Sequence, residues 1–317
     1  RVFVIGNRVE SAIIGPKNTF LEDAPDAEIG FKVDIDPANP VAKISLGGQE
    51  FLLREKEWSG WKRLRFPLMP TKSVTGICHF YLKQIRPEFK LYVSPLNVDP
   101  EDPALPLSTP PSYAKELAAK FGPFFTKGLP ADTSALDNDI LDEEEFLHQD
   151  ELVMEESRAM LDYELGRFES GALFYYVSST DQRQHMFWRL MDRSHPAFDE
   201  NAARTFGNVI ERTYRQADDI LASVLGRVDK DTVVLVMSDH GFDPFYRGFN
   251  LNTWLRRNGY LRLKNEFRSE DLDLAFAGTN WARTKAYGLG LNGLYLNVKG
   301  READGIVDPS ETEPLLR

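Results

Sequence analysis

The 317-residue chain contains a single cysteine, Cys78, so no internal disulfide can form and no zinc finger or ribbon can be assembled from clustered thiolates. One cysteine leaves the redox compartment open, with a lean toward an extracytoplasmic location. Long hydrophobic runs are also missing. The longest, Ala172 to Val177 and Val233 to Met237, fall far short of the roughly 20 apolar residues that span a bilayer, so no membrane segment is expected. Positive charge is scarce too, with 38 Lys+Arg against 49 Asp+Glu and a formal net charge of -11. Such a balance repels phosphate backbones at long range and argues against nucleic acid as a partner; a phosphate-bearing substrate would have to be gripped locally, for instance by metal ions. No initiator methionine or signal-peptide pattern precedes Arg1-Val2-Phe3-Val4-Ile5, and Leu315-Leu316-Arg317 closes no obvious element, so the expectation is a fragment of a longer protein.

What is present suffices for about two domains at roughly 150 residues each. Residues 1–105 read as a β-rich inserted or accessory domain, from short alternating runs such as Phe31 to Ile35, Val41 to Leu46 and Phe89 to Val93. Turn signals at Asp36-Pro37, Gly47-Gly48 and Ser59-Gly60 separate or follow them, as in a small sandwich or barrel. A proline-rich bridge from Asp99-Pro100 to Pro110-Pro111 disfavours long helices and central strands and marks a boundary. Residues 106–317 then alternate helices with short apolar strands, which predicts a layered α/β domain with a largely parallel sheet. Its clearest unit is Ala172–Val177, an amphipathic helix from Phe206 to Leu225 stopped by Gly226, and Val233–Met237, read as a βαβ crossover.

Both expected strands end in acids and imidazoles. Ser178-Ser179-Thr180-Asp181 is followed by His185, and the second strand by Ser238-Asp239-His240-Gly241. Parallel strands would bring Asp181, His185, Asp239 and His240 to the carboxyl edge of the sheet, where open α/β sheets bind ligands. Carboxylate oxygen with imidazole nitrogen suits zinc or another divalent transition ion, and two pairs suggest two ions, such as clamp the attacking and leaving oxygens of phosphoryl transfer. The plainer alternatives are that Asp181 caps the segment Gln182 to Asp192, that His185 is an interior residue near Phe187 and Trp188, and that Gly241 serves a tight turn. His79, His148 and His195 do not repeat the strand-end context and read as structural, Asp142 to Glu145 as a solvated helix start, and Cys78 as a small buried hydrophobe. No Gly-x-Ser-x-Gly elbow or P-loop occurs.

These residues resemble the type I phosphodiesterase/nucleotide pyrophosphatase group of the alkaline phosphatase superfamily. The resemblance rests on Asp181-Gln182-Arg183-Gln184-His185 and Ser238-Asp239-His240-Gly241-Phe242, with support from Phe249 to Leu255, Asn258-Gly259-Tyr260-Leu261 and Ala286 to Tyr295. The last stretch also reads as a hairpin turning at Asn292-Gly293. Over roughly residues 110 to 310 the resemblance implies an alkaline-phosphatase-like fold, mostly parallel sheet flanked by helices. It implies a metal-dependent phosphohydrolase acting on a small phosphate ester through two divalent ions, zinc first and manganese second. Asp181 and His185 would hold one ion, Asp239 and His240 the other. The family's Thr or Ser nucleophile has no matching motif in residues 1 to 110, and no histidine follows His240 to complete the first ligand set. The isolated chain is therefore expected to bind metal weakly and hydrolyse negligibly. Other superfamily activities remain open, among them phosphomonoesterase, phosphomutase and phosphoethanolamine transferase. A sulfatase fits poorly because Cys78 is followed by His79-Phe80-Tyr81-Leu82, and a non-catalytic binding scaffold is the rival from another class.

Overall fold

Alternation of apolar and polar residues dictates the first half of the chain. In the computed structural model, which describes residues 3–264, 276–290 and 293–317, β1 (Val4–Ile5), β2 (Arg8–Lys17), β3 (Asp26–Ile35), β4 (Val41–Leu46) and β5 (Gln49–Arg54) pair in sequence order as one antiparallel sheet. β6 (Glu57–Met69), β7 (Lys72–Gln84), β8 (Lys90–Val93) and β9 (Asn97–Val98) form a second, with β7 at its centre. Every second residue of β4 is buried, Ala42, Ile44 and Leu46. They meet Leu64, Phe66, Cys78, Phe80 and Leu82 of the second sheet in one core, so this region is a two-sheet sandwich. The sheets approach closely at Gly15, where any Cβ would collide with the Phe66 ring. Gly47 and Gly48, both at positive φ, turn β4 into β5 as expected.

Ser59-Gly60 turns nothing. It is a bulge inside β6: Trp58 faces Tyr81 and Trp61 faces His79, so three steps on β6 match two on β7. The extra residue puts Trp58 and Trp61 on the same face, where regular alternation would oppose them. Trp58, Trp61, His79, Tyr81 and Tyr92 thereby form an aromatic outer face on the second sheet, in contact with residues of the helical region.

Helices begin beyond the proline-rich bridge: α1 (Pro111–Phe121), α2 (Thr133–Asp137), α3 (Glu143–Leu165), α4 (Ser178–Phe187), α5 (Glu200–Phe206) and α6 (Val209–Leu225). The acidic start of α3 is a capping box, Asp142 accepting from the Glu145 amide and Glu145 from that of Asp142, both at 2.9 Å. Glu145 is not solvated as expected: it is buried and pairs with Lys83 of β7 at 2.6 Å. Further along α3, Glu156 accepts from the Phe125 amide at 2.7 Å and from Trp61 Nε1 at 3.4 Å. Burial pushes its carboxyl up to about 7 from an ordinary 4.5. A group raised in this way favours the fold fully below pH 4.5 and loses that contribution as pH rises through 7, a difference of about 3 kcal/mol. Glu156→Gln should therefore stabilise the protein by about 2 kcal/mol at pH 8.5, after about 1 kcal/mol for the weakened Trp61 bond, and by nothing at pH 5. Urea unfolding at the two pH values checks this; equal effects at both would refute it.

Among the described residues every strand ladder is antiparallel, and parallel pairing is confined to the isolated bridges Val298↔Val307 and Lys299↔Glu302. The architecture is mixed α/β, and among the described residues the expected parallel sheet is not formed. Residues 172–177 and 233–237 flank the predicted helix but enter no ladder, and Phe174, Val233, Leu235, Val236 and Met237 are each 74–80% exposed. A continuous apolar run becomes a central strand only when neighbours supply ladder bonds on both edges and cover on both faces, and no described segment supplies them. The expected helix forms as α6, beginning at Val209 with Phe206 left at the end of α5, and it stops at Leu225 with Gly226 as the C-cap. Val209, Ile210 and Ile220 are buried, while Tyr214 and Leu225 of the same apolar stripe stay more than half exposed.

The chain divides into two compact units, Arg1–Pro244 and Phe245–Arg317. The expected boundary at 105/106 falls between β9 and α1. In the smaller unit, α7 (Leu251–Arg257) is capped by Asn250, whose side chain accepts from the Thr253 amide at 2.9 Å. Asn252 bonds the backbone of Gly288 in both directions, at 2.7 and 3.0 Å, tying α7 to the hairpin of β10 (Ala286–Leu289) and β11 (Gly293–Leu296). Gly293 pairs with Leu289 inside the ladder, so it is a strand residue rather than half of a two-residue turn; Leu291 and Asn292 lie outside the described residues. The short α8 (Thr312–Leu316) completes the unit.

Candidate metal centre

α4 has an unusual buried face for so short a helix. Ser179, Gln182, Arg183 and Gln184 point inward with Phe187, and hydrogen bonds rather than apolar contacts hold most of that face. Arg183 Nε donates to Asp150 of α3 at 2.5 Å and Ser179 Oγ donates to the same carboxylate at 3.0 Å. Arg183 also reaches Thr213 and Gln216 of α6 at 3.3 and 2.8 Å, and Gln182 donates to the Ala131 carbonyl at 2.8 Å. Asp150 is fully buried and Arg183 2% exposed. Burial pushes the Asp150 carboxyl up, with Arg183 and Ser179 pulling it back.

The opposite face of α4 carries Asp181 and His185, one helical turn apart and therefore neighbours. Asp181 lies in the first turn after an N-cap at Val177, so it does not cap the helix, although a carboxylate there suits the helix dipole. The His185 side chain is 55% exposed, which removes the interior reading. His240 arrives from the loop after residue 237. His185 Nε2 stands 3.4 Å and His240 Nε2 3.5 Å from Asp181 Oδ1, and one donor atom of each residue lies within 4.8 Å of the others.

This grouping crosses the expected pairs, since His240 meets Asp181 and His185. Asp239 adjoins the cluster without belonging to it, its side chain 82% exposed and its Oδ2 3.8 Å from His240 Nε2. The donor set fits a divalent transition ion. Ligand bonds of about 2.0–2.2 Å in a tetrahedral zinc site place neighbouring donors roughly 3.3–3.5 Å apart, and the two separations from Asp181 Oδ1 match that spacing. His240 Nδ1 is 3.1 Å from the Gly241 carbonyl, a contact that places the proton on Nδ1 and leaves the Nε2 lone pair for a ligand bond. Phe242 packs edge-on against His185 and His240 at 4.8 and 5.3 Å and stacks on Trp188 at 6.1 Å, shielding the imidazole faces. Beside the cluster, the Tyr176 phenol is raised by burial and then by the charges of Asp181 and Asp239.

The other sequence candidates lie elsewhere. His195 Nδ1 accepts from the Ala197 amide at 3.1 Å in a turn. His148 is exposed on α3, and His79 is buried on β7. Burial pushes the Cys78 thiol up to about 12, consistent with a hydrophobic role. Reasoning from sequence missed Asp150 as the anchor of α4. Asp150 falls on the three-and-four stripe of Phe146, Leu147, Val153 and Met154, and a charge on an apolar stripe was a readable signal.

A family model described as type I phosphodiesterase / nucleotide pyrophosphatase matches residues 47–315, starting well upstream of the motifs that suggest the resemblance and enclosing the whole cluster. No curated protein and no solved structure matches the chain.

Proposed function

Because the chain belongs to the type I phosphodiesterase / nucleotide pyrophosphatase family, we propose that it carries part of the metal centre of a phosphodiesterase-type hydrolase acting on small phosphate esters. The observation that carries this reading is the convergence of Asp181, His185 and His240 inside the matched region. A divalent ion held there, zinc first and manganese second, supplies Lewis-acid polarisation of a phosphoryl oxygen and neutralises charge that the acidic surface would otherwise repel. The chain's own residues do the rest. Asp181 contributes the anionic oxygen, and the buried face of α4 fixes its direction. His185 and His240 contribute neutral nitrogens, with the Gly241 carbonyl holding the His240 tautomer. The exposed Asp239 stands close enough to His240 to join a second ion, as the resemblance implies.

The test separates binding from turnover. The EDTA-stripped chain should take up zinc saturably by calorimetry, with manganese weaker, and should hydrolyse bis(4-nitrophenyl) phosphate negligibly, because the family's nucleophile has no match in residues 1–110. Absence of any saturable zinc uptake would overturn the metal assignment. Robust diester turnover by this chain would overturn the placement of the nucleophile.

A further inference from the structure

The smaller unit carries a basic face on elements that hold none of the metal-type ligands. On α7 the exposed Trp254 and Arg257 lie one turn apart and share a face. Tyr260 stacks on Trp254 at 6.0 Å. Along the extended run that follows, the exposed Arg262 and Lys264 alternate with the inward Leu261 and Leu263, so they continue the side that Tyr260 occupies. The Arg262 guanidinium lies back over the end of α7, where a Cβ at Gly259 would stand 3.2 Å from it. Alongside, the Lys285 amide donates to the Tyr260 carbonyl at 2.7 Å and the Arg262 amide to Thr284 Oγ1 at 3.1 Å, which sets the exposed Arg283 and Lys285 beside the same run. Among the described residues none of these cations has a carboxylate partner, because the unit's acids are committed elsewhere: Glu302 to Arg301 at 2.6 Å, Asp308 to Lys299 at 3.9 Å and Glu313 to Arg317 at 2.5 Å.

That pattern selects a partner. Cations strung along a helix and two extended segments suit a charged plane better than one small anion. Trp254, 44% exposed, and Tyr260 add rings with an apolar body and a polar edge, the residue types that settle at the headgroup level of a bilayer. The acidic balance of the whole chain does not cancel the attraction, because at physiological salt exposed charges more than about 8 Å apart are largely screened. No described helix is long and apolar enough to cross a membrane, so such a contact is peripheral. We propose that this face docks the chain onto an anionic phospholipid surface. Each Lys or Arg held close to such a surface strengthens attachment about fivefold.

Sedimentation with vesicles tests this, in EDTA so that no divalent ion bridges the Asp181 cluster to a lipid phosphate. The chain should bind mixed phosphatidylcholine–phosphatidylserine vesicles and not phosphatidylcholine alone, and high salt should release it. Arg257→Gln/Arg262→Gln should weaken binding about 25-fold. Trp254→Ala should weaken it as well, through loss of the ring. Arg204→Gln/Arg215→Gln removes two cations that are 71% and 76% exposed on the larger unit, and it should leave binding unchanged. No binding to the phosphatidylserine vesicles, equal binding to phosphatidylcholine alone, or equal losses in the two double variants would overturn the proposal. So would full affinity in Trp254→Ala, which would reduce the face to a general polyanion contact.

Discussion

Asp150→Ala will destabilise the larger unit by about 3–5 kcal/mol, lowering its melting temperature by roughly 10 °C. The magnitude follows from what is left behind. Arg183, 2% exposed, would keep only Thr213 and Gln216 as partners, and one of its nitrogens already has none. An uncompensated buried charge costs more than the intact pair contributes, because the pair itself roughly breaks even against its own desolvation. For the same reason the double variant Asp150→Leu/Arg183→Met, which removes both charges, should lose much less than the sum of the single changes. Thermal or urea unfolding of the three variants closes the cycle, and additive losses would show that the two side chains act independently. The single variant should also weaken zinc uptake, since the pair joins α4, which presents Asp181 and His185, to α3 and α6.

Much of this was legible in the sequence, and the failures have physical causes. Alternation marked β3, β4 and β8, because a half-buried strand writes its pattern locally. The three-and-four spacing marked α6 for the same reason. Ser59-Gly60 misled because a glycine at positive φ serves a bulge as well as a turn, and only the pairing partner distinguishes them. The parallel sheet was expected from the apolar content of residues 172–177 and 233–237, yet a strand is made by its neighbours, and these runs have none among the described residues. The candidate residues were named from motif, but adjacency in sequence said nothing of the contact that brings His240 Nε2 to 3.5 Å from Asp181 Oδ1, closer than the 3.8 Å to Asp239 Oδ2, because that approach is made by tertiary packing.

That regrouping predicts an ordering of variants that the expected pairs do not. If Asp181, His185 and His240 share one ion, Asp181→Ala, His185→Ala and His240→Ala should each weaken the tightest zinc site by more than about 100-fold, because loss of a direct ligand exceeds the 10–100-fold typical of an outer partner. Asp239→Ala should leave that site within about tenfold of wild type and affect only a weaker second site. Under the pairwise arrangement His240→Ala and Asp239→Ala would instead behave alike, and both would spare the ion held by Asp181 and His185. Calorimetric zinc titration of the four variants distinguishes the two patterns. Asp181→Ala should cause the largest loss, since its Oδ1 is the atom both imidazoles face and no other carboxylate belongs to the cluster among the described residues. Asp181→Asn keeps one neutral oxygen in place and removes the charge, so it should recover part of the affinity if position matters as well as charge. Full recovery would mean that the carboxylate acts only as a spacer, and no recovery that its charge alone holds the ion.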